Sequence, residues 1–107
     1  MERESMIAVM YAPGQLVVHD LTGRRGAVLD VDARFNADEQ LYRAVALGEP
    51  SREQPWYTVL VDGAETAMYV PEEQLEVDPS EEPVEHPAVP QVFSDFHRGR
   101  YAVRHAH

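Results

Sequence analysis

Two runs of aliphatic and β-branched residues, Gln15–His19 and Gly26–Val31, flank a short interval that contains the turn formers Thr22 and Gly23. That arrangement predicts a β-hairpin. Downstream, Asn36 is followed three residues later by Glu39, and Leu41, Ala44 and Val45 recur at helical spacing ahead of Gly48. The pattern predicts a short capped helix. Pro55–Val61 then reads as a third strand bounded by Asp62-Gly63, a dipeptide suited to the positive φ angles of a tight turn, and Thr66–Val70 returns as a fourth. Pro71 starts a single helical turn through Glu72, Glu73 and Gln74, and Leu75 and Val77 complete a fifth strand. Five short strands predict an all-β fold closed into a small barrel, which pairs strand edges and gives each strand one buried face.

The predicted core comprises Leu16, Val18, Val28, Leu29, Val31, Val59, Val61, Met68, Val70 and Leu75. Alternation is imperfect in the second and third strands, so their faces are left unassigned. From Asp78 the chain turns acidic and proline-rich, DPSEEPVEHPAVP, too polar to build a core and read as an extended connector. Val92, Phe93 and Phe96 form an apolar cluster beyond it, suited to folding back on the barrel or docking on a partner. Three regions result: an N-terminal extension at 1–12, a barrel at 13–78, and an acidic linker with a C-terminal tail at 79–107. At 107 residues, one compact domain is the expectation.

Nineteen acidic residues face nine arginines, giving a net charge of -10, and no arginine or lysine falls between Arg52 and Arg98. Phosphate binding depends on cations that displace condensed counterions, so this balance opposes general nucleic-acid affinity unless arginines gather locally. The chain has no cysteine, which excludes disulfides, thiol catalysis and cysteine zinc sites. No apolar run approaches the roughly 20 residues of a membrane-spanning helix, and the N-terminus lacks the pattern of a secretory signal. A soluble, cytoplasmic protein with no membrane partner is expected.

The order GQLVVHDLTGRRGAVLDVDARF, then a variable loop, QPWYTVLVD and AMYVPEEQL, resembles the YccV-like family of HspQ-type heat-shock and hemimethylated-DNA-binding proteins. The resemblance rests on Gly14, His19, the Gly23–Gly26 turn, Asp30, Asp32 and the Gln54-Pro55-Trp56-Tyr57 entry to the third strand. Glu85-His86-Pro87 followed by Val92 and Phe93 is similar to the tail of many relatives. It implies an SH3-like barrel with the short helix between the second and third strands, and a role in protein quality control. The implied partners are a Lon-type protease and its protein substrates, with DNA as the older description and self-association, such as a trimer, as the implied assembly.

Candidate site residues carry two readings each. Trp56, Tyr57 and Tyr69 would form an aromatic surface that grips a peptide, or a tudor-like cage around a methylated cation; the other reading is packing anchors in strands. Arg24 and Arg25 would contact phosphates or an acidic partner, or decorate a solvated turn. Val92, Phe93 and Phe96 complete the partner-binding set. DNA recognition would require Arg24, Arg25, Arg98, Arg100 and Arg104 to gather on one face, and the sequence holds no groove-reading helix. His19 is a pH-sensitive contact or a structural hydrogen-bonding group near the turn.

Asp30 and Asp32, at i and i+2, share a strand face but supply too few oxygens for a hard cation. His97, His105 and His107 lack partners that would complete a transition-metal site. No metal and no cofactor is expected. Ser5, Ser51, Ser80 and Ser94 lie outside any nucleophile-elbow pattern, and no phosphate-binding glycine loop occurs. A small filled barrel also has little room for the pocket that acid–base chemistry needs. The chain is expected not to be an enzyme but to bind proteins.

Overall fold

The computed structural model describes residues 8–104. Five strands form one antiparallel sheet: β1 (Leu16–His19), β2 (Arg25–Asp32), β3 (Trp56–Val61), β4 (Ala67–Pro71) and β5 (Leu75–Val77), in the order β5-β1-β2-β3-β4. The all-β class and the five strands of this sheet agree with the sequence; a second, two-stranded sheet further along the chain stands where the sequence reading has an extended tail. β4 and β5 are the two edges of the ladder, joined by a single 3-10 turn at Glu72–Gln74. Register slips between Val28 and Asp30, where β2 carries a bulge against β3.

The helix in the β2–β3 connection, α1 (Glu39–Val45), begins two residues later than a cap at Asn36 would place it. Asp38 is the cap: its side chain accepts from the Leu41 N–H at 2.9 Å, whereas the Asn36 N–H donates to the Tyr69 hydroxyl. An aspartate satisfies an orphan N–H at a helix start as well as an asparagine does, so tertiary contacts decide between them.

Neighbouring residues of each strand divide between two apolar clusters. Val17, Val28, Tyr57, Val59, Val70 and Leu75 pack together with Tyr11. Leu16, Ala27 and Leu60 pack instead with Val84, Phe93 and Tyr101. Because successive side chains point to opposite faces, the sheet is buried on both sides. This explains the imperfect alternation: Val17 is fully buried although the sequence reading selects Leu16 and Val18, and Val18, Leu29, Val31 and Met68 are only partly buried.

The second face is covered by the chain's own C-terminal part. A short helical turn, α2 (Val89–Val92), leads into a hairpin of β6 (Phe93–His97) and β7 (Arg100–Val103). Arg98 and Gly99 form its two-residue turn, both with positive φ, as a type I′ turn demands. Phe93 and Tyr101 stack at 4.9 Å between ring centroids, and Phe96 lies 4.6 Å from Tyr101. Gly14 seats this hairpin on the sheet: its carbonyl accepts from the Tyr101 N–H at 2.9 Å, and its N–H donates to Val28 O at 2.8 Å. Residues after Asp78 are thus part of the packed unit.

The acidic segment between them is strapped down. The Val84 N–H donates to the Tyr101 hydroxyl at 2.9 Å, the Glu85 N–H to Asp62 Oδ1 at 2.7 Å, and the Gly63 N–H to Glu85 O at 2.9 Å. Val84 is buried, and burial of such a side chain contributes about 1.5–3 kcal/mol. Its polar neighbours remain outside, which is how a segment too polar for a core still anchors.

Candidate functional site

Burial sorts the candidate residues first. Trp56 and Tyr57 are both 0% exposed. As successive residues of β3 they face opposite sides of the sheet, so they cannot share one aromatic surface. Trp56 joins Phe35, Tyr42 and Tyr69 in a packed cluster, with centroids 5.0 Å from Phe35 and 5.3 Å from Tyr69, and donates from Nε1 to Ser51 O. Arg52 lies 3.8 Å above the Tyr42 ring and closes the cluster from outside. Tyr57 donates its hydroxyl to Glu72 Oε1 at 2.6 Å and accepts from the Tyr11 N–H. The grip and the cage built on Trp56, Tyr57 and Tyr69 are therefore replaced by packing anchors.

Arg25 is likewise an internal group. Its Nε donates to Asp78 Oδ2 at 2.7 Å and its Nη1 to Asp62 Oδ2 at 2.8 Å, while Nη2 reaches Ser80 Oγ and Glu82 O. Burial disfavours its charge, but the hydrogen bonds and charges of Asp78 and Asp62 more than offset that and raise its proton affinity. A guanidinium with its donors engaged this way has none to offer a phosphate. Val92, Phe93 and Phe96 pack against the sheet instead of projecting from it.

The five arginines do not gather. Arg100 bridges Gln15, whereas the Arg24 carbonyl accepts from the His19 N–H. Gln15 and His19 stand four residues apart along β1, roughly 13 Å at about 3.3 Å per residue. Arg24 therefore lies at one end of the first hairpin, with Arg98 and Arg100 at the other. Arg104 donates from Nε to Pro90 O at 3.0 Å, and Arg25 is held between them by its carboxylates.

What the fold leaves open is a seam between α1 and β4. No residue of α1 is buried, and Leu41 and Leu47 keep 38% and 47% of their surface. The helix and the turn after it are tethered by two hydrogen bonds: Tyr42, at the middle of α1, donates its hydroxyl to Pro50 O at 2.7 Å, and Gln74 Nε2 donates to Leu47 O at 2.7 Å. On one side of Met68 and Tyr69 lies a hollow of about 450 Å³, walled by Leu41, Val45, Ala67 and Thr58, with Asp32 on its rim. On the other lies a second of about 240 Å³, walled by Ala44, Leu47, Val70, His19 and Arg24. Val45, Met68 and Tyr69 line both.

Polar groups in the seam are ordered. Tyr69 donates to Asp32 Oδ2 at 2.6 Å, and burial together with that carboxylate pushes its hydroxyl up to about 12. Asp30 Oδ1 accepts from the Val31 N–H at 2.9 Å. Among the described residues no group of three or more His, Asp or Glu side chains is arranged to hold a metal, and His105 and His107 lie outside the described residues. His19 is 6% exposed; its Nδ1 accepts from the Leu21 N–H at 3.1 Å, and burial pushes its proton affinity down against the opposing pull of Asp20. No helix among the described residues is long and apolar enough to cross a membrane.

Sequence reasoning missed this seam because a partly exposed leucine on a short helix looks like any core position. The available signal was the spacing Leu41, Ala44, Val45 and Leu47.

A five-stranded antiparallel sheet in the SH3-like order, covered on both faces and carrying an open apolar seam, defines a small all-β protein whose exposed features are surfaces rather than an enclosed chamber. The family model described as "Hemimethylated DNA-binding protein YccV like" matches residues 9–100, and the chain belongs to that family. The match extends through the strapped segment into the C-terminal hairpin, in keeping with the packing that unites them.

Proposed function

We propose that this chain is a cytoplasmic, non-enzymatic accessory protein that binds segments of denatured or selected proteins and promotes their degradation by a Lon-type protease. The observation that carries the reading is the seam: Leu41 on α1 and Leu47 just after it, both exposed on either side of Met68, offer apolar surface to an extended polypeptide. Its mechanism is binding, which raises local substrate concentration at the protease. The net charge of -10 favours encounter with partners that carry basic patches.

The test is degradation of a denatured model substrate by the cognate protease, with and without the protein and with a Leu41→Ser, Leu47→Ser double variant. Acceleration by the wild type that the variant loses supports the reading. Identical rates in all three reactions remove it.

Binding of hemimethylated DNA is a second reading, favoured by the family description and by Arg98 and Arg100, which are exposed on one hairpin without ion pairs among the described residues. Separation of Arg24 from that hairpin and the internal role of Arg25 leave it fewer phosphate contacts than the sequence offered. A fall of affinity with salt that shrinks in an Arg98→Gln, Arg100→Gln variant supports it. No binding at low ionic strength removes it.

A further inference from the structure

The smaller hollow adds two polar features that the larger one lacks, Arg24 and His19, to the apolar wall that both possess. First, Arg24 is exposed at its rim and forms no ion pair among the described residues, unlike its neighbour Arg25. Second, His19 lines it as an almost fully buried side chain whose Nδ1 is an acceptor, engaged by the Leu21 N–H. An imidazole that accepts at Nδ1 carries its proton at Nε2, and that N–H has no hydrogen-bond partner among the described residues. Leu47, Met68 and Val70 give the hollow its apolar wall. At about 240 Å³ it is smaller than the roughly 300–1,000 Å³ of sites for drug-sized ligands.

We propose that this hollow is a docking pocket for the carboxyl-terminal residue of a polypeptide, with its carboxylate on Arg24 and the His19 Nε2–H and its apolar side chain against Leu47, Met68 and Val70. A guanidinium fork and a neutral N–H match the two oxygens of a carboxylate. Only the last residue of a chain carries a carboxylate and an apolar side chain on the same Cα, which is the spacing a pocket this small requires. An internal Asp or Glu would bring its charge without the apolar partner. Asp20, adjacent to His19, and the chain's overall acidity favour neutral or basic residues upstream of that terminus. The inference rests on the protein-binding reading above and specifies the kind of segment bound. Methionine on one wall suits it to several apolar termini rather than one.

The experiment measures binding of a fluorescent ten-residue peptide ending in leucine, lysine-containing upstream, to the full chain. Its companions are the same peptide amidated at the C-terminus, the same peptide ending in serine, and hexanoate as a competitor. The free-acid leucine peptide is expected to bind at least tenfold more tightly than the amidated or serine forms. Arg24→Gln should remove the preference for the free acid while leaving the amidated peptide unchanged, and Met68→Ala should remove the preference for leucine. His19→Asn, which keeps an acceptor for the Leu21 N–H but withdraws the Nε2 donor, should weaken the free acid alone. Equal binding of free and amidated peptides overturns the proposal, as does displacement by hexanoate at concentrations comparable to the peptide, which reassigns the hollow to free amphipathic carboxylates. Because these are binding measurements, their failure leaves the degradation test of the seam standing, and failure of that test leaves these outcomes readable.

Discussion

Arg25 Nε lies 2.7 Å from Asp78 Oδ2, and the same guanidinium holds Asp62 at 2.8 Å. One side chain on β2 thereby fixes both the β3–β4 turn and the start of the acidic strap. Removing it would leave the Asp78 side chain, only 7% exposed, as an unpaired carboxylate. Arg25→Met is expected to cost about 2–4 kcal/mol, the range for breaking a largely buried, hydrogen-bonded charge pair. Arg34→Gln breaks a pair whose partners are 67% and 66% exposed, and should cost no more than about 1 kcal/mol. Urea unfolding measures both, and amide exchange should rise selectively over residues 79–103 in Arg25→Met.

Gly14 has φ of +94°, and a Cβ there would stand 2.1 Å from Tyr101 O. Backbone cannot yield as a flexible side chain would. Gly14→Ala should therefore prise β7 from the sheet at a cost of about 3 kcal/mol or more, combining left-handed strain with overpacking. Gly23→Ala, whose Cβ would meet nothing within 4 Å, should bear the positive-φ cost of about 1–2 kcal/mol alone. Thermal unfolding of the two variants side by side distinguishes them.

Acid should destabilise the protein in two stages. His19 is held below its ordinary value of 6.5 by burial, so the unfolded chain binds that proton first and stability falls as pH drops below about 6.5. Asp62 is held below 3.8 chiefly by the Glu85 N–H and then by Arg25. Asp78 is also held below 3.8, where the Ser80 N–H and Arg25 outweigh burial. Their contribution is intact above 3.8 and is lost below it. Denaturant midpoints across this pH range should show both steps, and His19→Asn should abolish the first only.

Base should act through the tyrosines. Burial and the carboxylate partners Glu72 and Asp32 push Tyr57 and Tyr69 up to about 12, and burial raises Tyr11 as well. Groups whose proton affinity rises on folding stabilise below the unfolded value of 10.0, and that stability disappears as pH climbs toward 12. Ultraviolet titration of phenolate, with Tyr→Phe variants to assign the signals, should show Tyr11, Tyr57 and Tyr69 ionising at higher pH in the native protein than in urea.

Local chemistry written into the chain determined the five strands of the main sheet, both main turns, the 3-10 turn after Pro71 and the helix before Gly48, because each depends on residues a few positions apart; the β6–β7 hairpin was not legible, since it is held by packing against the sheet. The family was also legible, through the order of Gly14, His19, Gln54 and Trp56. Which aromatics face solvent was not. Trp56 and Tyr57 look equally available in a sequence, and only the closing of Phe35 and Tyr42 over one, and of Tyr11 over the other, buried both. Arg24 and Arg25 are adjacent and chemically identical, yet the strap gives one a structural role and leaves the other at the rim of a hollow. The tertiary structure decided these assignments because burial and pairing are set by segments well beyond the reach of a local motif, 57 residues away where the Arg25 guanidinium meets Glu82 O, and no local pattern encodes which of two neighbours such a segment will meet.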